Sequence, residues 1–204
     1  MLREEKDINM EAKKAIFLDK DGTLIDDIPF NVNVKLISFS SNSLDGLKIL
    51  QEKGYIFIII SNQSGIGKGY FKHKDVDAVG ARLELLLARA GIVLSGFYYC
   101  PHLHTTLSAV AGTDCDCRKP KPGMLLTSAK AHNIDLSASW MIGDILNDVE
   151  AGNRAGCKTI LINNGNETEW EMTDIRTPDY IADSINTAAE YILEINLLNQ
   201  FYTV

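Results

Sequence analysis

Lys14-Ala15-Ile16-Phe17-Leu18-Asp19-Lys20-Asp21-Gly22-Thr23-Leu24 is the stretch that decides the fold. The apolar run Ala15 to Leu18 has the composition of a strand buried on both faces. It stops at two carboxylates, Asp19 and Asp21, and Gly22 lets the backbone turn directly after the second. In an open parallel sheet, ligands bind beyond the carboxyl ends of the strands, so both acids belong at the mouth of a site. Acids this close repel unless a cation intervenes, and a hard divalent metal with oxygen ligands fits that need.

Outward from this strand, apolar runs and helical patterns alternate. Ser41-Asn42-Ser43 offers caps for a helix with Leu44, Leu47 and Leu50 on its apolar face, ended by Gly54. Tyr55 to Ile60 reads as a central strand delivering the polar loop Ser61-Asn62-Gln63-Ser64-Gly65-Ile66-Gly67-Lys68-Gly69. A helix over 74–90 follows, with Val76, Val79, Leu83 and Leu86 on one face, then a short third strand at Phe97-Tyr98-Tyr99. Pro122-Gly123 opens a helix over 124–132, and Trp140-Met141-Ile142 is a fourth strand ending in Gly143-Asp144. A helix containing Asp148 and Val149 runs to Gly156. Lys158 to Ile162 is a fifth strand, Tyr180-Ile181 a short sixth, and a helix over 184–199 closes the chain. This alternation predicts an α/β fold with a doubly wound parallel sheet.

Three further polar clusters fall at predicted strand ends. Ser61 supplies a hydroxyl within a turn rich in backbone donors, which suits a phosphoryl oxygen. In Arg118-Lys119-Pro120-Lys121-Pro122-Gly123 the prolines are expected to hold the segment extended. Lys119 is then suited to balance the paired acids, and Arg118 to fork onto a second anionic group. Asp144 completes a magnesium site with Asp19 if their strands are neighbours, while Asp148 touches metal-bound water or caps its helix. Lys68 reads as a solvated loop charge, and His73 and His132 as surface helix residues.

Cys100-Pro101-His102 and Cys115-Asp116-Cys117 form two metal-ligand pairs with twelve residues between them. Cys100, His102, Cys115 and Cys117 suit tetrahedral zinc, and four protein ligands leave no position open for chemistry. The zinc is thus expected to staple the loop over 100–117 and to place Arg118 and Lys119. His104 competes with His102, whose one-residue spacing mirrors the second pair. Cys157 stands apart as a small buried residue.

At 204 residues, 46% hydrophobic and 23% charged, the chain is expected to form one domain over 1–204. A net charge of -7 argues against nucleic-acid partners and anionic membranes. No apolar run approaches membrane-spanning length, and Met1 to Lys13 is charged, so a cytoplasmic protein is expected.

The order of clusters (acid pair, hydroxyl, lysine, acid) resembles the four motifs of the haloacid dehalogenase superfamily, most of which are phosphatases. Tyr98-Tyr99-Cys100-Pro101-His102, together with Cys115-Asp116-Cys117-Arg118-Lys119-Pro120-Lys121-Pro122-Gly123-Met124, resembles the D-glycero-D-manno-heptose 1,7-bisphosphate phosphatases. The histidinol-phosphate phosphatases are close relatives that share the zinc set. The resemblance implies Asp19 as nucleophile and Asp21 as acid and base, with Ser61 and Lys119 holding the transferring phosphoryl group. It implies magnesium on the side chains of Asp19 and Asp144 and the backbone carbonyl of Asp21. Asn62, Gln63, Ser64 and Arg118 are then substrate contacts, and the partner is a small phosphorylated sugar acted on by a monomer. No large helical cap is expected, since no long insertion follows the first or second motif. Two positions depart from the heptose family: Ile28-Pro29-Phe30 stands where a Gly-Tyr pair is usual, and Ile145 where lysine is frequent.

Overall fold

The computed structural model describes residues 11–103 and 115–202; His104 and the interior of the cysteine loop lie outside them. The described chain runs β1 (Lys14–Leu18), α1 (Ser43–Glu52), β2 (Tyr55–Asn62), α2 (His73–Arg89) and β3 (Leu94–Cys100). It continues through α3 (Gly123–His132), β4 (Trp140–Gly143), α4 (Leu146–Ala155), β5 (Lys158–Ile162), β6 (Tyr180–Ala182) and α5 (Ile185–Tyr202). The six strands form one sheet in the order β3-β2-β1-β4-β5-β6, every pair parallel. This is the doubly wound architecture expected from the alternation, and no large helical cap interrupts it among the described residues.

Successive strand side chains face opposite sides of the sheet, and each side has its own core. Ile16, Leu18, Phe57 and Ile59 pack with Leu47 and Leu50 of α1, Leu83 of α2 and Ile185 of α5. Ala15, Phe17, Ile58 and Ile60 pack on the other side with Met124 and Leu125 of α3 and Ala151 of α4. The chain order brings β1 between β2 and β4, so the carboxyl ends carrying Asp19, Ser61 and Asp144 are adjacent.

Four local expectations are corrected. β3 begins at Leu94, three residues before the expected start, because Phe57 pairs with Leu94 but Ile58 with Gly96. That register shift, at Ser95-Gly96, breaks the strand pattern in the sequence. Leu87, not Leu86, completes the buried face of α2. Asn42 precedes α1 in a left-handed conformation without a side-chain cap. Finally, the basic segment is not extended. It turns back with Lys121 N–H bound to the Arg118 carbonyl at 2.8 Å and Gly123 N–H to the Asp116 carbonyl at 2.9 Å.

Candidate active site

Asp19 leaves β1 with its N–H bound to the Ile142 carbonyl of β4 at 2.9 Å, which ties the first acid to the strand that delivers Asp144. Asp19, Asp21, Ser61, Lys119 and Asp144 line one cavity of about 230 Å³, together with Asn62, Ile145 and Asn166. Five separate parts of the chain thus contribute to a single volume. An adjoining cavity of about 200 Å³ shares Asp21, Asp27 and Asn62, and adds Gln63, Ser64, Phe30 and Phe71 to its walls.

Lys119 is the electrostatic centre. Its ammonium is buried and contacts Asp19 Oδ1. It also lies 2.6 Å from Asp148 Oδ1 and donates to the Ile60 carbonyl at 2.8 Å. Burial alone would lower the lysine pKa, but Asp148 and Asp19 outweigh it and hold the group protonated. Burial, against the pull of Lys119 and with repulsion from Asp148 and Asp21, pushes Asp19 up to about 7. Burial and the Asp19 charge raise Asp144 to about 6, opposed by hydrogen bonds from Asn166 and Thr23. Burial likewise raises Asp148.

These carboxylates fit a divalent cation. Oxygens of Asp19, Asp144 and Asp148 lie within 4.8 Å of one another. Among the buried and half-buried groups, four carboxylates (Asp19, Asp21, Asp144, Asp148) face two ammonium groups, Lys20 and Lys119. The deficit is two positive charges, and an uncompensated buried charge is costly. Asp148 already serves Lys119, and its Oδ2 accepts the Ile145 N–H at 3.3 Å, so of these three clustered acids Asp19 and Asp144 are the two that line the cavity.

Several side chains do work not assigned to them by their positions in the sequence. Lys20 is buried and pairs with Asp21 Oδ1 at 2.5 Å. The Gln63 amide donates to Asp21 Oδ2 at 3.1 Å and to Ser61 Oγ at 2.8 Å, so it orders two motif residues. Asn62 is bound to the Lys119 backbone, and Ser64 lines the adjoining cavity. Lys68 is exposed but sits 4.4 Å from the centre of the Phe30 ring, which itself packs edge-on to Tyr70 at 5.0 Å. His132 and His73 are hydrogen-bonded to Tyr98 and Tyr99, at 3.1 and 3.0 Å. The polar loop after β5 carried no expectation at all. It nevertheless sends Asn166 to Asp144 Oδ2 at 2.7 Å, and the rule that ligands gather at strand carboxyl ends would have flagged it.

Cys100, at the end of β3, meets His102, Cys115 and Cys117 in a second cluster. Cys117 Sγ lies 3.1 Å from Cys100 Sγ and 3.3 Å from His102 Nδ1; Cys100 Sγ lies 3.6 Å from Cys115 Sγ. A tetrahedral zinc with Zn–S of about 2.3 Å would set its donors roughly 3.5–3.8 Å apart, so the set needs only slight expansion. All three thiols are free, as is the buried Cys157, whose burial pushes it up to about 12. Arg118 turns toward this cluster, its Nη1 donating to the His102 carbonyl at 3.2 Å.

Comparison with known proteins agrees with this geometry. The Hydrolase_like family, described as HAD-hydrolase-like, matches residues 116–188. A D-glycero-beta-D-manno-heptose-1,7-bisphosphate 7-phosphatase of Pasteurella multocida is 44% identical over 154 residues, covering 75% of this chain and 83% of the relative. One from Haemophilus ducreyi is 41% identical over 183 residues, covering 89% and 99%. The solved structure of a D,D-heptose 1,7-bisphosphate phosphatase from B. bronchiseptica, complexed with magnesium and phosphate, superposes with a TM-score of 0.71. It is 26% identical to this chain and covers 89% of it and 99% of its own length.

Proposed function

Because this chain belongs to the D-glycero-β-D-manno-heptose-1,7-bisphosphate 7-phosphatase family of haloacid dehalogenase-like hydrolases, we propose that it removes the 7-phosphate of that sugar bisphosphate. The observation that carries this reading is the convergence of Asp19, Ser61, Lys119 and Asp144, from separate strand ends and the basic turn, on one cavity.

Asp19 attacks phosphorus, and the bond to the sugar oxygen breaks as an aspartyl-phosphate forms. Asp21 gives its proton to that leaving oxygen. Water then attacks the aspartyl-phosphate and surrenders a proton to Asp21, which releases inorganic phosphate and restores Asp19. Lys20 and Gln63 hold Asp21 by both carboxylate oxygens, so the proton is exchanged from a defined place. Ser61 and Lys119 face the equatorial phosphoryl oxygens. The adjoining cavity, walled by Phe30 and Phe71, receives the rest of the substrate.

The side chains of Asp19 and Asp144, with the carbonyl of Asp21, are the ligands for magnesium, which when bound neutralises charge that would otherwise repel a phosphate dianion. Cys100, His102, Cys115 and Cys117 are the ligands for a structural zinc that fixes the turn carrying Arg118 and Lys119. Asp19, Asp21, Ser61, Lys119 and Asp144 line one cavity within a single chain, and a monomeric working unit is part of this proposal. No described helix is long and apolar enough to cross a membrane. We place the enzyme in the cytoplasm.

The test is phosphate release from heptose 1,7-bisphosphate, other sugar phosphates and histidinol phosphate, with magnesium and with a chelator. The bisphosphate is expected to have the highest kcat/KM and to need magnesium. A preference for histidinol phosphate would overturn the substrate assignment, and turnover independent of magnesium would overturn the mechanism.

A further inference from the structure

We propose that Asn166 is a positioning residue for Asp144, held in place by Asn164 and Glu167, and that this loop after β5 sets the affinity of the site for magnesium. The inference rests on the magnesium-phosphatase reading above.

Asp144 receives one neutral donor on each oxygen: Thr23 Oγ1 on Oδ1 at 3.1 Å, and Asn166 Nδ2 on Oδ2 at 2.7 Å. A carboxylate can only accept, so it is the amide nitrogen of Asn166 that faces it. Neutral donors fix the direction of the carboxylate without cancelling its charge, as a lysine in place of Asn166 would. Asp144 and Asn166 line the same cavity, and the carboxylate keeps lone pairs that neither donor occupies.

Beyond Asp144, the loop is tied to two other parts of the site and braced within itself. Asn164 Nδ2 donates to the Gly22 carbonyl at 2.6 Å, while its Oδ1 accepts the Asn166 N–H at 3.2 Å. Glu167 Oε2 accepts the Leu146 N–H at 2.6 Å, where α4 begins. The turn after the acid pair is shaped to admit this contact. A Cβ on Gly22 would lie 2.1 Å from Asp144 Oδ2 and 2.5 Å from Asn166 Nδ2. Gly22, with φ of +82°, thus leaves the space in which the amide and the carboxylate meet.

Partners that orient a metal ligand commonly change metal affinity or activity by about 10- to 100-fold when removed. The test compares the wild-type chain with Asn166→Ala and Asn164→Ala. Magnesium dissociation constants are measured by calorimetry on the substrate-free protein, beside the magnesium concentration giving half-maximal activity and the substrate KM. Asn166→Ala is expected to weaken magnesium about ten-fold in both assays, with KM at saturating magnesium unchanged. Asn164→Ala, which leaves the cavity lining intact, is expected to weaken it in the same direction by less. Unchanged magnesium affinity in Asn166→Ala, or an effect confined to KM, would overturn the proposal. Circular dichroism separates either result from misfolding. If the wild-type chain binds no magnesium, the reading of the site fails, not merely the role of Asn166.

Discussion

Asn62 and Lys119 are bound to each other twice: Asn62 Nδ2 donates to the Lys119 carbonyl and Asn62 Oδ1 accepts the Lys119 N–H, each at 3.1 Å. This reciprocal pair ties the last residue of β2 to the basic turn, two segments separated by 57 positions. It explains how a lysine on a loop is held inside a site, with its ammonium against Asp19 and Asp148. Asn62→Ala should remove both bonds and leave the turn's backbone groups to water. A loss of about 1–3 kcal/mol in stability is expected. Activity should fall through kcat more than through KM, because Lys119 is displaced from the transferring group while the adjoining cavity persists. Urea melts and steady-state kinetics check both; a change in KM alone would show Asn62 acting on substrate directly.

Asp19→Asn should abolish turnover while leaving the fold intact. A loss on the order of 10⁶ in kcat is the scale seen when a nucleophile is removed. The same substitution deletes one of the buried carboxylates that repel one another, so the metal-free variant should melt higher than wild type near neutral pH. Measured together, phosphate release and a thermal melt distinguish loss of the nucleophile from loss of structure.

Much of this arrangement is legible in the chain because motif residues sit at strand ends, and strand ends are local features. Lys158 to Ile162 appears with its expected bounds, and the acid pair falls directly after β1 as its apolar run implies. What is not legible depends on register or on tertiary partners. The Ser95-Gly96 irregularity hides the start of β3, since a shift in pairing leaves no periodic signature. The burial of Lys20 cannot be read from a residue flanked by two acids, because only the folded turn decides which acid it meets. Asn164 and Asn166 look like ordinary turn residues, and their partners Gly22 and Asp144 lie 142 and 22 positions away.

The site's acids predict how pH and magnesium interact. In the metal-free protein Asp19 is raised to about 7 and Asp144 to about 6, above the ordinary carboxylate value. A raised folded-state pKa favours the neutral form. The stability these groups contribute is therefore fully present near pH 4 and is lost as pH rises through about 6 and then about 7. Magnesium requires the ionised form and supplies the missing charge, so protons compete with it. The rise in Tm on adding magnesium should be small at about pH 5 and several degrees larger at about pH 8. Calorimetric scans with magnesium and with chelator at the two pH values test this, and equal shifts at both would contradict the assigned ligands.

Removal of the zinc ligands should act on catalysis at a distance. Cys117 is followed directly by Arg118 and Lys119, and Arg118 is also bound to the His102 carbonyl. If the cluster holds zinc as proposed, losing the metal should loosen the turn at its origin while the sheet and its two cores stay in place. Cys117→Ser is expected to lose bound zinc, as measured by elemental analysis, to melt several degrees lower and to lose kcat about ten-fold or more. Magnesium affinity should change little, since Asp19 and Asp144 directly follow β1 and β4, away from the cysteine cluster. Cys157→Ser supplies the control: this thiol is buried apart from the cluster, so zinc content should be unchanged. Full zinc in the Cys117 variant would show that this thiolate is not a ligand. Normal kcat in a zinc-free protein would show that Lys119 is held by Asn62, Asp19 and Asp148 alone.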